Sequence, residues 1–117
     1  MTYFSRVCLV SLVSLYVLTG SANALTTSKF IDASDQLQQG YVFGMMEYMS
    51  GVASADAKGN LRSMGYQKCF SENDIDSKAG LDIVQRYLIH TADSSTTPML
   101  ANVLRAFKEA CKRYLPD

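Results

Sequence analysis

The chain of 117 residues contains no tryptophan, two prolines and one histidine, and its eleven basic residues balance eleven acidic ones. Nucleic-acid phosphates are bound by clustered Lys and Arg, and the sequence has no such cluster. It also lacks the lysine-rich stripe of a helix that lies on a membrane surface. No Gly-rich phosphate loop, GxSxG, HExxH or CxxC motif is present. These absences disfavour an enzyme, a cofactor, a metal site and a nucleic-acid partner, and they favour a protein-binding role.

The N-terminal segment has the three parts of a secretory signal peptide. Arg6 precedes an apolar run from Val7 to about Leu18, and Ala22-Asn23-Ala24 is a small-x-small cleavage site. A membrane-spanning helix needs about 20 apolar residues, and this run is shorter. We therefore expect cleavage after Ala24, export to the periplasm, a single domain over residues 25–117, and no membrane insertion of the product.

Removal of the signal peptide changes the cysteine count. Cys8 is lost, which leaves Cys69 and Cys111, and the formal charge becomes 10 − 11 = −1 because Arg6 is lost too. An even pair in an exported chain is most simply a disulfide. A zinc site built with the single His90 would lack one ligand unless a carboxylate joined it. A bridge across this separation contributes about 4 kcal/mol, a large part of the stability of a small domain.

The first predicted helix runs from about Lys29 to Ala57, with Ser28 or Thr27 as its N-cap. Apolar residues recur at steps of three and four on one face: Leu37, Tyr41, Met45, Tyr48, Val52 and Ala55. Three glycines interrupt the helix, and each costs about 1 kcal/mol relative to alanine. Close packing of a neighbouring helix, or a break near Gly40, explains them more simply than a surface kept open for a partner.

Two further helices are predicted after a polar connector over Lys58–Asn73. One begins after Asp76, which acts as its cap, and ends near His90, with Leu81, Val84 and Leu88 on its buried face. After an exposed loop, Thr97 and Pro98 mark the start of the last helix, which continues to about Arg113. Its predicted apolar stripe is Leu100, Val103, Leu104, Phe107, Cys111 and Tyr114. No segment alternates like a strand, so we predict an all-α bundle of three to four helices stapled by one disulfide.

Three groups of residues have both a chemical and a structural interpretation. Glu72, Asp74 and Asp76 lack the glycine and the ligand spacing of a calcium loop and fit the start of a helix better. His90 fits the end of a helix, where an imidazolium favours the last carbonyls. The methionines of the first helix could form an adaptable binding surface, but we expect at least Met45 to lie in the core.

Four motifs follow one another along the chain. They are Gly40-Tyr41-x-x-Gly44, Lys68-Cys69-Phe70 followed by Asp76, Val84-x-x-Tyr87-Leu88, and the final helix up to Cys111. In this order they resemble the Rap/Tai-type immunity proteins of type VI secretion. The first is similar to the family's GY-x-x-G helix, and Asp76 stands at the position of a capping threonine. The match covers about residues 36 to 111, and its motif positions are Gly40, Tyr41, Gly44, Gly51, Asp76, Tyr87, Leu88, Leu104 and Phe107.

The sequence departs from the family at two places. Gln38-Gln39 stand where members often carry another cysteine, and the His-Pro after the second helix is replaced by His90 and a long polar loop. Such connecting loops can carry partner specificity.

The resemblance implies a periplasmic protein that binds and inhibits a peptidoglycan-cleaving amidase effector. We expect partner contacts in the loop Ala92–Thr97, through Asp93, Ser94, Ser95 and Thr96, or in the stretch Gly59–Lys68, through Arg62 and Lys68. A homodimer is compatible with this role. The alternatives are a periplasmic acid-stress chaperone of the Hde type, which is also small, helical and disulfide-bonded, and an envelope-associated helical binding module.

Overall fold

A computed structural model describes residues 25–51, 56–91 and 94–117. The predicted signal peptide lies outside these residues. The described helices are α1 Thr27–Ile31, α2 Asp35–Gly51, α3 Ala57–Glu72, α4 Ser77–His90 and α5 Met99–Ala110. Two 3₁₀ turns are also present: Ser94–Thr96 lies between α4 and α5, and Lys112–Tyr114 follows α5. The described ranges contain no strand, only an isolated bridge between Thr26 and Pro98. The prediction of an all-α fold with one disulfide is confirmed.

The prediction of a single first helix is wrong. The segment begins earlier than predicted, is broken into two helices, and ends earlier than predicted. Thr26 is the N-cap of α1, one residue before the expected Thr27, and its hydroxyl accepts from the Lys29 amide at 3.3 Å. The chain then breaks at residues 32–34, and the Ser34 hydroxyl accepts from the Leu37 amide to start α2. Gly40, near which a break was one of the two explanations offered for the glycines, lies inside α2, which ends at Gly51.

A buried glutamine explains the break. The Gln38 side-chain nitrogen donates to the carbonyl oxygens of Phe30, Ile31 and Ala33 at 2.8, 3.2 and 3.3 Å. These carbonyls lie at and just beyond the end of α1, where intrahelical partners are lacking. Because the Gln38 side chain must face α1, the buried face of α2 is shifted by about one residue along the sequence from the predicted face.

The buried face of α2 therefore differs from the predicted stripe. Gln38, Val42, Met46 and Met49 are buried, whereas Met45 is only partly buried and Leu37 and Tyr48 are exposed. Val52 and Ala55, the last two residues of that stripe, lie outside the described residues. The prediction was wrong because α2 has apolar residues on both faces, so spacing alone does not select one.

Most of the stretch predicted as a polar connector is α3. Asp56 caps this helix by accepting from the Lys58 amide at 3.0 Å. Gly65, Tyr66 and Cys69 form its buried face. The helix is held by these contacts and by the disulfide rather than by a strong apolar pattern of its own.

Helix α4 matches its prediction most closely. Asp76 accepts from the Ala79 amide at 2.8 Å and caps the helix. Leu81 and Val84 are buried, while Leu88 is only partly buried against the core.

Helix α5 begins one residue later than predicted, at Met99, with Pro98 at the cap position. Thr97 therefore does not act as the cap, and its carbonyl oxygen instead accepts from the Thr27 hydroxyl. The predicted stripe is also displaced, because Leu100 and Leu104 are 50% and 39% exposed. The buried residues are Met99, Asn102, Val103, Ala106 and Phe107. The helix ends at Ala110 rather than near Arg113.

The core lies among α2, α4 and α5, and α3 packs against α2. Phe107 is fully buried and makes an edge-to-face contact with Phe70 of α3, with ring centroids 5.4 Å apart. The N-terminal end is tied to the start of α5, where the Leu25 carbonyl accepts from the Met99 amide at 3.2 Å. The Asn102 side chain donates to the Thr27 hydroxyl at 2.8 Å, 75 positions earlier in the chain. Among the described helices, none is long and apolar enough to cross a membrane.

Candidate functional site

The disulfide between Cys69 and Cys111 fixes two helix ends to each other. Cys69 lies in the last turn of α3 and Cys111 directly follows α5, with their Cα atoms 5.7 Å apart and both side chains buried. The predicted pairing is confirmed. The bridge brings the 3₁₀ turn Lys112–Tyr114 against α3.

Gly65 makes that close approach possible. A Cβ at this position would overlap the carbonyl oxygen of Tyr114 and lie 3.3 Å from Leu115 Cδ2. The absence of a side chain therefore allows the backbone of the turn to cross directly over α3.

A shallow groove forms beside this crossing, and we call it the α3 groove. Leu61 and Met64 stand at its edge and are 56% and 61% exposed. The complete lining is Leu61, Met64, Gly65, Gln67, Lys68, Ser71 and Tyr114. Steps of three and four place Leu61, Met64 and Lys68 on one face of the helix. Two large apolar side chains are thus presented to solvent on a helix whose C-terminal end is fixed.

The charges around the α3 groove are mainly positive and exposed. Lys68 lies 3.8 Å from the Glu72 carboxylate one turn away, and both side chains are solvated, so this pair contributes little. The Arg113 guanidinium lies over the Tyr114 ring, 5.7 Å from its centroid. Burial raises the pKa of Tyr66, and the positive charge of Arg62 partly opposes that rise. The groove therefore combines exposed apolar side chains with the polar side chains of Gln67, Lys68 and Ser71.

The two stretches predicted to contact a partner are held by different elements. Arg62 and Lys68 are both exposed on α3, which packs against α2. Ser95 and Thr96 are exposed on the first 3₁₀ turn, which packs against α1. Asp93 lies outside the described residues, and for Ser94 only the backbone is described. Lys68 lines the α3 groove, whereas Arg62, Ser95 and Thr96 are not part of its lining.

The family-motif residues have several different structural positions. Phe107 is in the core, Tyr87 and Leu88 are partly buried against it, and Leu104 is exposed. Asp76 is the cap of α4. These five residues mostly support the fold, so they do not define a contact surface.

The remaining motif residues lie on α2. Tyr41 is partly buried and contacts Phe30 edge-to-face, with centroids 5.8 Å apart, and burial raises the pKa of its phenol. Gly40, Gly44 and Gly51 are exposed, and a Cβ at any of them would meet no described atom within 4 Å. The expectation that a neighbouring helix packs closely on these glycines is therefore wrong for the described chain.

The structure also gives the positions of the residues for which the sequence allowed a chemical role. His90 is the exposed last residue of α4. Across the described ranges, no three His, Cys, Asp or Glu side chains are arranged to hold a metal ion.

Sequence reasoning missed Leu61, Met64 and Tyr114. The first two were assigned to a connector, and Tyr114 was assigned to a buried stripe. The available signal was the spacing of Leu61, Met64 and Lys68, which becomes visible only when residues 57–72 are taken as a helix.

No protein-family model, curated protein or solved structure matches the chain.

Proposed function

We propose that the protein is a periplasmic immunity protein that binds and inhibits a peptidoglycan-cleaving amidase effector of type VI secretion. The order of motifs between residues 36 and 111 supports this proposal, and so does the N-terminal segment with its signal-peptide pattern. The observation that carries it is the α3 groove. Leu61 and Met64 are more than half exposed there, although large apolar side chains are usually placed inside a small domain.

The chemistry of the groove suits inhibition by occlusion. An inhibitor of this kind needs a rigid surface that covers an enzyme's cleft, and it needs no catalytic groups of its own. The disulfide holds α3 in place, which lowers the conformational entropy lost on binding. Exposed apolar side chains next to polar and charged ones are a combination that protein–protein interfaces use.

The acid-stress chaperone has less support. Such a protein must open at low pH, which requires carboxylates that hold separate elements together in the folded state. The two ion pairs found among the described residues, Lys68–Glu72 and Arg86–Asp82, each lie within one helix and are exposed. Protonating these carboxylates would leave the contacts between helices intact.

Inhibition of the amidase tests the proposal. The substrate is purified peptidoglycan, and the enzyme is a candidate peptidoglycan amidase sought among the genes adjacent to that of this chain. We expect the wild-type protein to suppress the release of cleaved fragments, and the Leu61→Ala, Met64→Ala double variant to weaken this inhibition at least tenfold. Ile89→Ala is the matched control, because Ile89 is 78% exposed on α4 and lies outside the groove.

The outcomes separate the function from its site. If the wild-type protein does not inhibit or bind the amidase, the proposed function is wrong. If the double variant inhibits as strongly as Ile89→Ala, the function stands and the α3 groove is not its contact surface. An alanine block over residues 92–97 then tests the other predicted stretch. Suppression of client aggregation at low pH would favour the chaperone instead.

A further inference from the structure

A cleft lies between α4 and α5, which pack against each other. Its volume is about 480 Å³, which is within the range of small-molecule sites in proteins. Steps of three and four put its lining on one face of each helix, within residues 83–90 of α4 and 106–110 of α5. Thr91, directly after α4, also lines it. We call it the α4–α5 cleft.

Small side chains on α5 leave this space open. Ala106 and Ala110 lie one turn apart on that helix, and they line the cleft together with Ile83 and Tyr87 of α4. Because alanine has only a methyl group, α5 does not fill the space beside the larger side chains of α4. Ala106 is buried, so the deepest part of the cleft is apolar.

The α4 side of the cleft carries cationic and donor groups. Arg86 and His90 lie one turn apart and both line it. The Asp82 carboxylate accepts from the Arg86 guanidinium at 2.8 Å, one turn earlier, and Asp82 is not part of the lining. A guanidinium has five N–H donors, so this bond orients Arg86 and leaves most of its donors for a ligand. An imidazole N–H of His90 is a further donor.

Glu109 gives the α5 side of the same cleft a carboxylate. Neither ion pair found within the described ranges includes Glu109, so its carboxylate pairs with neither Arg86 nor His90. Opposite charges thus line one cleft without contacting each other, which leaves room for a ligand between them. The hydroxyls of Tyr87 and Thr91 add groups that both donate and accept.

We infer that the α4–α5 cleft binds a small zwitterion, which is a free amino acid or a short peptide with both ends free. The carboxylate of the ligand binds Arg86 and His90, and its ammonium group binds Glu109. Arginine is well suited to the first contact, because its planar fork can bind both oxygens of a carboxylate. An apolar side chain of the ligand lies against Ile83 and Ala106.

The charges of the cleft select a ligand that carries both signs. A simple anion would be repelled by Glu109, and a simple cation would be repelled by Arg86. A zwitterion meets an opposite charge on each side. This inference is independent of the proposed function, because the α4–α5 cleft and the α3 groove share no residue and the test contains no amidase.

Titrations followed by the NMR shifts of backbone amides test the site, with protein purified from the periplasm after expression of the full chain. The probes are alanine and the dipeptide alanyl-alanine. We expect saturable shifts at residues 83–91 and 106–110 with at least one of them. Tighter binding of alanine would identify a free amino acid as the ligand class, and tighter binding of the dipeptide would identify a short peptide. Absence of saturable shifts with both probes, or shifts confined to other residues, overturns the inference.

Blocked dipeptides test which residue binds which end of the ligand. N-acetyl-alanyl-alanine lacks the ammonium group, and alanyl-alanine amide lacks the carboxylate. The wild-type protein should bind each about tenfold more weakly than the free dipeptide. Glu109→Gln should no longer distinguish the acetylated dipeptide from the free one, and Arg86→Gln should no longer distinguish the amide. A merely structural role of either residue would leave this selectivity unchanged.

Both variants should keep the helix content of the wild type in circular dichroism, because Arg86 and Glu109 are exposed. Lys78→Gln is the matched control, since Lys78 is an exposed cation of α4 outside the cleft, and it should bind all probes like the wild type. Equal binding of free and acetylated dipeptide by the wild type would indicate a simple carboxylate site and overturn the inference. So would an Arg86→Gln or Glu109→Gln variant that keeps the selectivity of the wild type.

Discussion

Replacing Gly65 by alanine should destabilise the protein, although alanine is the better helix former. The 3₁₀ turn after α5 crosses directly over this position. A Cβ there would overlap the carbonyl oxygen of Tyr114 and lie 3.1 Å from that residue's carbonyl carbon. Both are backbone atoms, so the overlap is relieved only when the turn moves away from α3.

Two opposing effects set the magnitude. Alanine gains about 1 kcal/mol over glycine inside a helix. An extra methyl group in a packed contact costs about 1–3 kcal/mol, and we expect the upper half of that range because backbone must move. The net loss for Gly65→Ala is then about 1–2 kcal/mol. For a domain of this size each kcal/mol lowers the melting temperature by about 4–8 °C.

Gly44→Ala is the matched control, since it makes the same change inside α2, where no described atom lies within 4 Å of the new Cβ. It should stabilise the protein by about 1 kcal/mol. Urea unfolding followed by circular dichroism gives both free energies. Their difference cancels the helix propensity and leaves the cost of the contact. If Gly65→Ala is as stable as Gly44→Ala, the reasoning about the turn is refuted.

Three further predictions concern stability and are measured by the same urea unfolding. Replacing Cys69 and Cys111 together by serine should lower the free energy of unfolding by about 4 kcal/mol, because the unfolded chain loses its cross-link; an unchanged value would contradict this. Asp76→Ala should cost about 1 kcal/mol and Asp76→Ser much less, because serine can also cap α4; equal losses would speak against capping. Phe107→Ala should cost about 3–5 kcal/mol, whereas Leu104→Ala should cost less than about 1 kcal/mol because Leu104 is partly exposed; similar losses would show that Leu104 belongs to the core.

The sequence predicted best the elements whose signals are local. Helix α4 has a capping aspartate at its start and apolar residues on a single face, so Asp76 and Val84 were both placed correctly. The disulfide followed from counting, because removing Cys8 with the proposed signal peptide leaves one pair.

The errors in α2 and α5 share a physical cause. Each helix places a polar residue in the interior, Gln38 in α2 and Asn102 in α5, and each makes a hydrogen bond to a residue outside its own helix. Such partners are invisible to a pattern of apolar spacing. The predicted faces therefore used the neighbouring apolar residues Leu37 and Leu100, which the structure leaves exposed.

The α3 groove could not be predicted for a related reason. Residues 57–72 form a helix because Asp56 caps it and because a disulfide and the turn at Tyr114 hold it, whereas its own sequence contains Gly59, Gly65 and many polar residues. Only tertiary contacts distinguish this segment from a connector. The sequence therefore names each residue of the groove, but it does not show that these residues lie on one face of a helix.

The bonds that join the start of the described chain to α5 have a consequence for the order of folding. Contacts between residues distant in sequence form late, since a long loop must close before they are made. The chain emerges from the ribosome N-terminus first, so Leu25 and Thr27 cannot bond to residues 97–102 until those residues have followed. We therefore expect the attachment of the N-terminal end to α5 to be a late step of folding. An exported chain, as we propose this one to be, benefits because its native structure is not completed until almost all of it has been released.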